Sequence, residues 1–377
     1  MAPLRTLHVN TETGWRGGEQ QMAYLVEGLR TRGHGVRLAL QPHGEAALRL
    51  EAAGFDVVRT RMRGEADPFS VLRLRRIVRA YRPDVVHLHT SHAHALGGMA
   101  VRWAGAPRPA VIVSRRVDFS IYRRSFLGLN GWKYRHGLDR IVCVSEAIRQ
   151  VLVRDGLDPA TLAVVHSAVD PARVRDARPV DVGARAGVAA GCPLVLAVGA
   201  LVGHKGHTHL VAALPALRDA VPGVRVVVAG EGPLRPHLEA QARALGVADV
   251  LVLAGQVADL PGWFHGVDLL VMPSTEEGLG TSVLDGMAAG LAVVASRAGG
   301  LSELIDDGVH GLLVPPADPA ALAAALARLL RDPAARARMG AAGRARVDAQ
   351  FVADRMVEGT LAVYADVRAA TGRTAAP

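Results

Sequence analysis

Residues 276–290 read Glu-Glu-Gly-Leu-Gly-Thr-Ser-Val-Leu-Asp-Gly-Met-Ala-Ala-Gly, and they follow a short apolar run, Leu269–Met272. The apolar run predicts a buried strand, and the segment after it predicts a glycine-rich turn and a helix that opens at Ser282. Turns of this build present backbone N–H groups and a positive helix end to an anion, most often a phosphate. The segment therefore predicts a phosphate-binding turn inside an α/β fold.

Two carboxylates, Glu277 and Asp285, flank the predicted anion site. Acids beside a phosphate would repel it, so we expect them to face hydroxyl groups. A ligand that carries phosphates and many hydroxyl groups is a nucleotide sugar. The alternative interpretation is a capping box, in which Ser282 and Asp285 satisfy free amides at the helix start. The segment alone leaves both interpretations open.

Length and composition indicate two domains. The chain has 377 residues, of which 50% are hydrophobic, enough for two packed cores. No apolar run approaches the ~18–20 residues that span a bilayer, and the first residues lack the apolar core of a signal peptide. Cys143 and Cys192 lie in strand-like apolar runs, which predicts small core residues rather than ligands. We expect a cytoplasmic protein, peripheral on the inner face of a membrane.

The net charge of +9 is unevenly distributed. Residues 1–173 hold 26 basic and 15 acidic side chains, a balance of +11, whereas residues 174–377 hold 18 and 20, a balance of −2. An arginine-rich genome explains the excess of Arg over Lys but not this division. The first half is therefore expected to meet an anionic membrane surface or an acidic substrate. Nucleic acid is not expected, because zinc-finger spacings and RNP-like aromatic motifs are absent from the sequence.

Strand-like runs alternate with helical patterns along most of the chain, which indicates doubly wound parallel sheets. In the first half, strands are predicted at 4–10, 36–40, 57–60, 84–89, 110–114 and 140–144. A polar break at 171–179 is interpreted as a linker. The second half repeats the pattern with strands at 194–198, 224–229, 250–254, 268–272 and 292–295. Ligands of such sheets bind beyond the carboxyl ends of the strands.

After the first strand, Gly14-Trp-Arg-Gly17-Gly18-Glu19 stands where a dinucleotide-binding enzyme carries Gly-x-Gly-x-x-Gly. A redox role with a dinucleotide cofactor is therefore not expected. The motif is glycine-rich and opens a helix, so either an approaching anion or an ordinary strand–helix turn explains it.

Several motifs in order along the chain resemble glycosyltransferase family 4. They are Gly17-Gly18-Glu19, Val198-Gly-Ala-Leu201 running to Lys205-Gly206, Ala229-Gly-Glu-Gly-Pro-Leu234, Pro273-Ser274, Glu277-Gly-Leu-Gly280, Asp285-Gly-Met-Ala288 and Ala298-Gly-Gly300. The resemblance runs from residue 4 to about residue 365. It implies the GT-B architecture, which has two facing Rossmann-like doubly wound parallel-sheet domains and a C-terminal crossover helix.

On this resemblance, residues 1–173 form an acceptor-side domain and residues 174–351 a donor-binding domain. The last helix, from about 352 to 377, is expected to pack back onto the first domain.

The resemblance implies transfer of a sugar from a nucleotide-sugar donor with retention at the anomeric carbon and without a metal ion or other cofactor. Lys205, one of only two lysines, takes the place of the family's cation for the donor diphosphate. Glu277 takes the place of the acid that contacts the donor sugar. Asp285 stands where the family has a Glu that binds the ribose hydroxyls. The remaining residues predicted to bind the donor are Gly17, Gly18, Gly278, Leu279, Gly280, Thr281 and Ser282.

Ala200 departs from the family pattern, because most members carry an Arg there that shares the diphosphate with the lysine. His204, Arg297 and Arg16 are candidates to replace that charge, and the sequence does not choose among them.

His89 ends a strand and resembles the family's histidine that lines the donor-sugar pocket. His87 is expected on the same face of the strand, with His92 and His94 in the following loop. Four neighbouring histidines also suggest a metal, but their spacing matches no familiar zinc site. We therefore predict His89 as a catalytic residue beside Lys205 and Glu277, and no metal site.

Residues 115–135 combine basic and aromatic side chains. The basic residues are Arg115, Arg116, Arg123, Arg124, Lys133 and Arg135, and the aromatic residues are Phe119, Tyr122, Phe126, Trp132 and Tyr134. This composition predicts contact with an anionic membrane surface or a lipid-linked acceptor. A partly exposed helix without lipid contact is the alternative.

The leading hypothesis is a retaining glycosyltransferase that builds a bacterial envelope glycan, such as lipopolysaccharide, or a glycolipid. The alternatives are a catalytically weak nucleotide-sugar binding protein, suggested by Ala200 and Asp285, and a sugar-nucleotide epimerase. The base, the sugar, the acceptor and the linkage do not follow from the sequence.

Overall fold

The computed structural model describes residues 2–123 and 129–370, which fold into two compact units. Unit 1 comprises the residues up to Ala168 together with those from Ala353 onward, and unit 2 comprises Val169–Val352. The boundary expected after residue 173 therefore lies inside unit 2. The reason is that Val169 forms a parallel bridge with Val352, which ties residues 169–173 to the second unit.

Unit 1 is built on a parallel sheet of seven strands in the order β3-β2-β1-β4-β5-β6-β7. The strands are β1 (Arg5–Val9), β2 (Gly35–Leu40), β3 (Asp56–Arg59), β4 (Val85–Leu88), β5 (Ala110–Arg115), β6 (Arg140–Cys143) and β7 (Leu162–Val164). Continuous Val, Ile and Leu runs form these strands because helices cover both faces of the sheet, and β4 is buried along its whole length.

The helices that connect these strands are α1 (Gly17–Thr31), α2 (Glu45–Ala52), α3 (Pro68–Tyr81), α4 (Ser91–Ala104), α5 (Leu129–Arg135) and α6 (Glu146–Arg154). Short polar side chains cap the N-termini of several of these helices. Asp67 accepts a hydrogen bond from Phe69 N, Thr90 accepts one from Ala93 N and Ser145 accepts one from Ile148 N. Helices α3 and α4 share one core with the sheet. A 3₁₀ turn at Pro159–Thr161 precedes β7.

Unit 2 contains a second parallel sheet, of six strands in the order β10-β9-β8-β11-β12-β13. The strands are β8 (Leu194–Val198), β9 (Arg225–Ala229), β10 (Leu251–Gly255), β11 (Leu269–Met272), β12 (Val293–Ser296) and β13 (Gly311–Val314). Its helices are α7 (Pro171–Arg175), α8 (Val182–Arg185), α9 (His207–Ala220), α10 (Arg235–Ala244), α11 (Leu260–Phe264), α12 (Thr281–Ala289), α13 (Leu301–Leu304), α14 (Pro319–Arg331) and α15 (Pro333–Gln350), with a 3₁₀ turn at Gly203–Lys205.

The last helix, α16 (Ala353–Ala370), returns to unit 1 and packs against α1. Its Tyr364 is fully buried in the core that α1 shares with the sheet. The expected return of the C-terminal helix is thus observed up to residue 370, and residues 371–377 lie outside the described part of the chain. Over residues 2–123 and 129–370, none of the helices combines the length and hydrophobicity needed to cross a bilayer.

The structure differs from the sequence prediction at three places. Strands β7 and β13, which are three and four residues long and lie at sheet edges, were not predicted. The segment interpreted as a linker contains α7, which begins at Pro171 behind the capping side chain of Asp170. Cys143 is buried in β6 as expected, whereas Cys192 precedes β8 and is only partly buried.

Each sheet has one point where the strand order reverses, between β1 and β4 in unit 1 and between β8 and β11 in unit 2. Ligands of open parallel sheets bind beyond the carboxyl ends of the strands at such points. The turns after these four strands carry most of the predicted site residues.

Candidate active site

Lys205 and Glu277 form an ion pair at the reversal point of unit 2. Lys205 lies in the turn after β8, and Glu277 lies in the turn after β11. The Lys205 Nζ atom is 2.6 Å from Glu277 Oε2, and Ser274 Oγ donates to the same carboxylate oxygen at 3.1 Å. Both charged side chains are largely buried. The structure therefore brings together the predicted cation and the predicted acid, which lie 72 residues apart in sequence.

A glycine allows these two turns to approach each other. Gly206 has φ +68°, and a Cβ atom at this position would lie 1.9 Å from the carbonyl oxygen of Pro273. No side chain fits there, so the turn after β8 rests directly on the backbone after β11. This contact holds Lys205 within reach of Glu277.

Helix α12 begins beside the ion pair. Its N-cap is Gly280, with φ 93°, which supplies no side-chain hydrogen bond to the first amides of the helix. The capping box considered for Ser282 and Asp285 is therefore not formed, and the helix starts at Thr281 rather than at Ser282. The turn of Gly278, Leu279 and Gly280 leads directly into these amides. An uncapped helix start next to a lysine is suited to hold an anion.

Asp285 is buried one turn into α12. Both of its carboxylate oxygens face Arg173 Nη2, at 3.3 Å and 3.4 Å. Burial raises the pKa of Asp285 to about 6, and Arg173 opposes that rise. The carboxylate is thus held by an arginine that the sequence analysis assigned to a linker. The Asp-Pro pair at 170–171 was the signal for a helix start there.

The three candidates to replace the charge missing at Ala200 have different surroundings in the structure. Arg297 Nη2 pairs with Asp307 at 3.2 Å. The His204 side chain is exposed, and its backbone carbonyl accepts a hydrogen bond from Thr275 N at 2.8 Å. Arg16 belongs to unit 1, at the start of α1.

His207, which the sequence analysis did not single out, is buried next to Lys205. Burial, assisted by the charge of Lys205, lowers the pKa of His207 to about 4. A Cβ atom on Gly199 would lie 3.5 Å from Lys205 Cδ and 3.7 Å from His207 Nε2, so the two side chains flank the same turn. His207 is therefore a neutral group at the edge of the site and supplies no second cation.

In unit 1, His89 is buried at the end of β4, and both of its ring nitrogens are engaged. Nδ1 faces Arg116 Nη2 at 3.1 Å, and Nε2 faces His8 Nδ1 at 3.0 Å. Because arginine only donates, His89 Nδ1 must accept and its Nε2 carries the proton. That proton is donated to His8 Nδ1, so His8 Nε2 donates to Thr6 Oγ1 at 3.1 Å. The four residues form one directed chain of hydrogen bonds.

His87 lies on the same face of β4 as His89, as expected, with 4.3 Å between the ring centroids. Its Nδ1 is 2.7 Å from the hydroxyl of Tyr364, and its Nε2 is 2.8 Å from Ser114 Oγ. His92 and His94 do not join this group, because His92 is exposed and His94 packs against Tyr134.

His8, His87 and His89 are the described residues that come close enough to share a metal ion, with ligand atoms within 4.8 Å of one another. Burial holds the pKa of His8 at about 3 and those of His87 and His89 well below the usual value, so all three rings are neutral. Their nitrogens are, however, committed to the bonds described above, and the Arg116 cation contacts His89 directly. The group therefore does not suit a metal cation.

Gly17 and Gly18 open α1 at the carboxyl edge of the same sheet. Glu19 fixes this turn, since its carboxylate accepts from Arg16 N at 3.1 Å and from Asn10 Nδ2 at 3.0 Å. Arg116 lies against the turn, with its Cδ 3.9 Å from the position of a Cβ on Gly18. Burial lowers the pKa of Arg116 to about 10, and the nearby Glu19 opposes this shift.

The basic and aromatic window at 115–135 does not form one surface. Arg115, Lys133 and Tyr134 are buried, and Lys133 pairs with Glu65 at 3.2 Å. Tyr122 and Trp132 are exposed, whereas Arg124 and Phe126 lie outside the described residues. The prediction that residues 115–135 contact a membrane or a lipid-linked acceptor is thus wrong for Arg115, Lys133 and Tyr134, whose side chains are buried.

Two family models match the chain. The model described as Glycosyltransferase Family 4 matches residues 15–173, and the model described as Glycosyl transferases group 1 matches residues 192–332.

Two curated proteins of Mycobacterium tuberculosis (strain ATCC 25618 / H37Rv) are similar over most of their length. Its glycogen synthase is 32% identical over 306 residues, which cover 78% of this chain and 72% of that protein. Its GDP-mannose-dependent alpha-(1-6)-phosphatidylinositol monomannoside mannosyltransferase is 32% identical over 321 residues, 80% of each chain.

Among solved structures, Anabaena HepE in complex with UDP has a similar fold. The TM-score is 0.83 at 21% sequence identity, and the match covers 96% of this chain and 100% of that one. A sucrose-phosphate synthase from Thermosynechococcus elongatus gives a TM-score of 0.80 at 20% identity, with 97% and 100% coverage.

Proposed function

Because the chain belongs to glycosyltransferase family 4, and is thus a glycosyltransferase of the GT-B fold that uses a nucleotide-sugar donor, we propose that it transfers the sugar to an envelope glycan or lipid-linked acceptor. We further propose that the transfer retains the anomeric configuration and needs no metal ion. The Lys205–Glu277 pair beside the uncapped start of α12 is the observation that carries this proposal.

The pair and the helix start have complementary chemistry for a departing diphosphate. As the bond between the sugar and the diphosphate breaks, negative charge develops on the phosphate oxygens. Lys205 and the first amides of α12 stabilise that charge in a largely buried site, where such interactions are strong. The sequence contains no Asp-x-Asp triplet of the kind that holds a metal for this step.

In this proposal Glu277 binds the sugar of the donor. A diphosphate bound to Lys205 displaces the carboxylate as the lysine's partner, and the carboxylate then accepts from sugar hydroxyl groups. Ser274, which donates to Glu277 Oε2, keeps the acid oriented during this exchange. Asp285 accepts from the ribose while Arg173 holds it in place.

In unit 1, we propose that Gly17, Gly18 and His89 complete the binding of the donor. Both His89 ring nitrogens are hydrogen-bonded within the protein, so His89 reaches a sugar hydroxyl only by exchanging its bond to His8 or to Arg116. His89 therefore acts from within a preset hydrogen-bond chain, between Arg116 and His8.

The relatives act on different acceptors by name, among them glycogen and a phosphatidylinositol mannoside. An envelope acceptor is favoured by the charge balance of +11 over residues 1–173. A cytoplasmic location, peripheral on the inner face of the membrane, belongs to this proposal.

Thermal-shift screening against UDP-, GDP- and ADP-sugars tests the donor part of the proposal. The nucleotide sugars of one base are expected to raise the melting temperature of the protein. Lys205→Ala is expected to weaken the binding of that nucleotide by about tenfold or more. Lys133→Ala is the matched control, since Lys133 is the only other lysine and is also paired with a carboxylate. Equal effects of the two variants would contradict the assignment of Lys205.

Product analysis separates the two alternatives. A catalytically weak binding protein, suggested by Ala200 and Asp285, would hold the donor without turnover in the presence of a lipid acceptor extract. An epimerase would return an isomerised donor when no acceptor is present. The proposed enzyme instead yields a glycosylated acceptor and free nucleoside diphosphate.

A further inference from the structure

Two helices of unit 1 expose large apolar side chains. On α3, Phe69 is 67% and Leu72 is 39% exposed, and on α4, Met99 is 36% and Trp103 is 48% exposed. Positions 69, 72, 73 and 76 follow the i, i+3, i+4, i+7 spacing of one helix face, and positions 99, 102 and 103 do the same on α4. We define the α3–α4 face by Phe69, Leu72, Arg73, Arg76, Met99, Arg102 and Trp103.

These two stripes lie on neighbouring helices. Helices α3 and α4 pack against each other, and Arg75 Nε donates to the Trp103 carbonyl oxygen at 2.7 Å. One turn further, Arg79 Nε donates to the Ala104 carbonyl oxygen at 2.8 Å. The opposite sides of both helices are in the core of unit 1. The core therefore does not require the apolar side chains on the outer side.

The charged part of the face is uniformly basic. Neither α3 nor α4 contains an Asp or a Glu within its helical residues. Among the described residues, Arg73, Arg76 and Arg102 are exposed and make no ion pair with a carboxylate. Some other exposed arginines of unit 1 are paired within their helices, as in Arg30 with Glu27 on α1 and Arg49 with Glu45 on α2. The three arginines of the α3–α4 face thus lack an ion pair, and the carboxylate that interacts with one of them at longer range is Asp67, the N-cap of α3, which faces Arg73.

We propose that the α3–α4 face binds the surface of an anionic lipid bilayer. Phe69 and Trp103 enter the interface, while Arg73, Arg76 and Arg102 meet the lipid phosphates. Large apolar side chains interleaved with arginines match a surface that is apolar at depth and anionic at its headgroups. A second copy of the chain is a poor occupant, because a symmetric contact would bring the same unpaired arginines together.

The proposal differs from the membrane contact expected at residues 115–135. Three of the side chains in that window point into unit 1, whereas every member of the α3–α4 face is exposed. It rests on the peripheral membrane location that belongs to the proposed function and names the surface for it. Vesicle binding requires no turnover, so it can fail while sugar transfer is observed, and the two failures are distinguishable.

Flotation of the full chain with lipid vesicles tests the proposal. Vesicles of phosphatidylcholine with phosphatidylglycerol are expected to carry the protein upward, and vesicles of phosphatidylcholine alone are not. High salt is expected to weaken the binding. The triple variant Arg73→Gln, Arg76→Gln, Arg102→Gln should lower the partition coefficient on the order of a hundredfold. The double variant Phe69→Ser, Trp103→Ser should lower it by about tenfold or more.

Matched controls carry the same losses on other surfaces. Arg185→Gln, Arg243→Gln, Arg338→Gln removes three exposed charges from unit 2, and Leu48→Ser, Leu245→Ser removes two exposed apolar side chains. Both controls are expected to float like the wild type. Equal losses in the controls, equal binding to both vesicle types, or no flotation would overturn the proposal. So would a concentration-dependent dimer, seen by sedimentation, that the Phe69 and Trp103 substitutions abolish while vesicle binding persists.

Discussion

At the scale of single residues, the site in unit 2 consists of charges that already have partners. Lys205 is held by Glu277, and Asp285 is held by Arg173. An incoming diphosphate competes with Glu277 for Lys205. The free energy needed to break the existing ion pair therefore offsets part of the attraction between Lys205 and the phosphate. The affinity for a nucleoside diphosphate therefore depends on the acid as well as on the cation.

Glu277→Gln separates these two roles. The amide keeps the shape of the side chain but no longer neutralises Lys205, so nucleoside diphosphate is expected to bind several-fold more tightly, by roughly 1 kcal/mol. Sugar transfer is expected to fall, since the carboxylate that accepts from the sugar is lost. Calorimetric titration with nucleoside diphosphate and a turnover assay measure the two effects, and Glu276→Gln, the neighbouring acid, is the control. A loss of diphosphate affinity in Glu277→Gln would refute the proposed competition.

Asp285 is expected to make stability depend on pH. Its folded-state pKa of about 6 lies above its ordinary value of 3.8, so the folded state prefers the protonated acid. Ionised Asp285 therefore costs stability above pH 6, and that cost, up to about 3 kcal/mol, disappears as the pH falls towards 4. Asp285→Asn lacks this dependence. Urea unfolding of both proteins between pH 4 and pH 8 should show that the unfolding free energy of the wild type rises relative to that of the variant as the pH falls. The same pH dependence of the unfolding free energy in both proteins would contradict the burial of a titrating carboxylate.

At the scale of the elements, close backbone contacts decide where the charged side chains stand. The turn after β8 and the turn after β11 touch at Gly206 and Pro273, and this contact sets the reach of Lys205. In unit 1, adjacent strands β1 and β4 place His8 beside His87 in the sheet register. The chain of hydrogen bonds through His89 thus follows from strand pairing, which joins residues far apart in sequence.

Gly206→Ala tests the contact between the turns. The new Cβ atom would lie 1.9 Å from the Pro273 carbonyl oxygen at a residue with φ +68°, so the unfolding free energy is expected to fall by about 2 kcal/mol or more. Donor binding should weaken as well, because Lys205 moves with its turn. Gly203→Ala in the same turn is the control, since its Cβ atom would have no heavy atom within 4 Å. Chemical denaturation should leave Gly203→Ala within about 0.5 kcal/mol of the wild type. Equal stability of the two variants would mean that the turns are not in tight contact.

At the scale of the whole molecule, the regular parts of the fold follow from the sequence. The long apolar runs and the helical patterns between them predict both parallel sheets, and the turns that carry Lys205 and Glu277 follow from motifs in the sequence. Edge strands β7 and β13, of three and four residues, were missed, although edge strand β3, also of four residues, was predicted. Helix α7 is polar and was interpreted as a linker, so Arg173, the partner of Asp285, was missed with it. His8 was missed because His89, its hydrogen-bond partner at the end of strand β4, follows it by 81 residues.

The return of α16 to unit 1 predicts a consequence of truncation. Tyr364, Met356 and Val357 complete a core that includes Leu4 and Leu25, so a chain that stops at residue 352 would expose that core. We expect this chain to lose the unfolding transition of unit 1 in calorimetry and to aggregate. A chain that stops at residue 370 keeps all of α16 and serves as the control, with wild-type melting expected. Wild-type melting of the shorter chain would contradict the assignment of α16 to unit 1.

The most direct test of the proposed mechanism is the rate of sugar transfer in excess chelator, with nucleoside diphosphate release followed for the wild type, Lys205→Arg and Lys205→Ala. The mechanism predicts full activity of the wild type without a metal ion. It also predicts a loss of roughly a hundredfold to a thousandfold in kcat for Lys205→Ala and partial retention in Lys205→Arg. An inactive wild type that Mg²⁺ restores, or an unchanged kcat in Lys205→Ala, would contradict it.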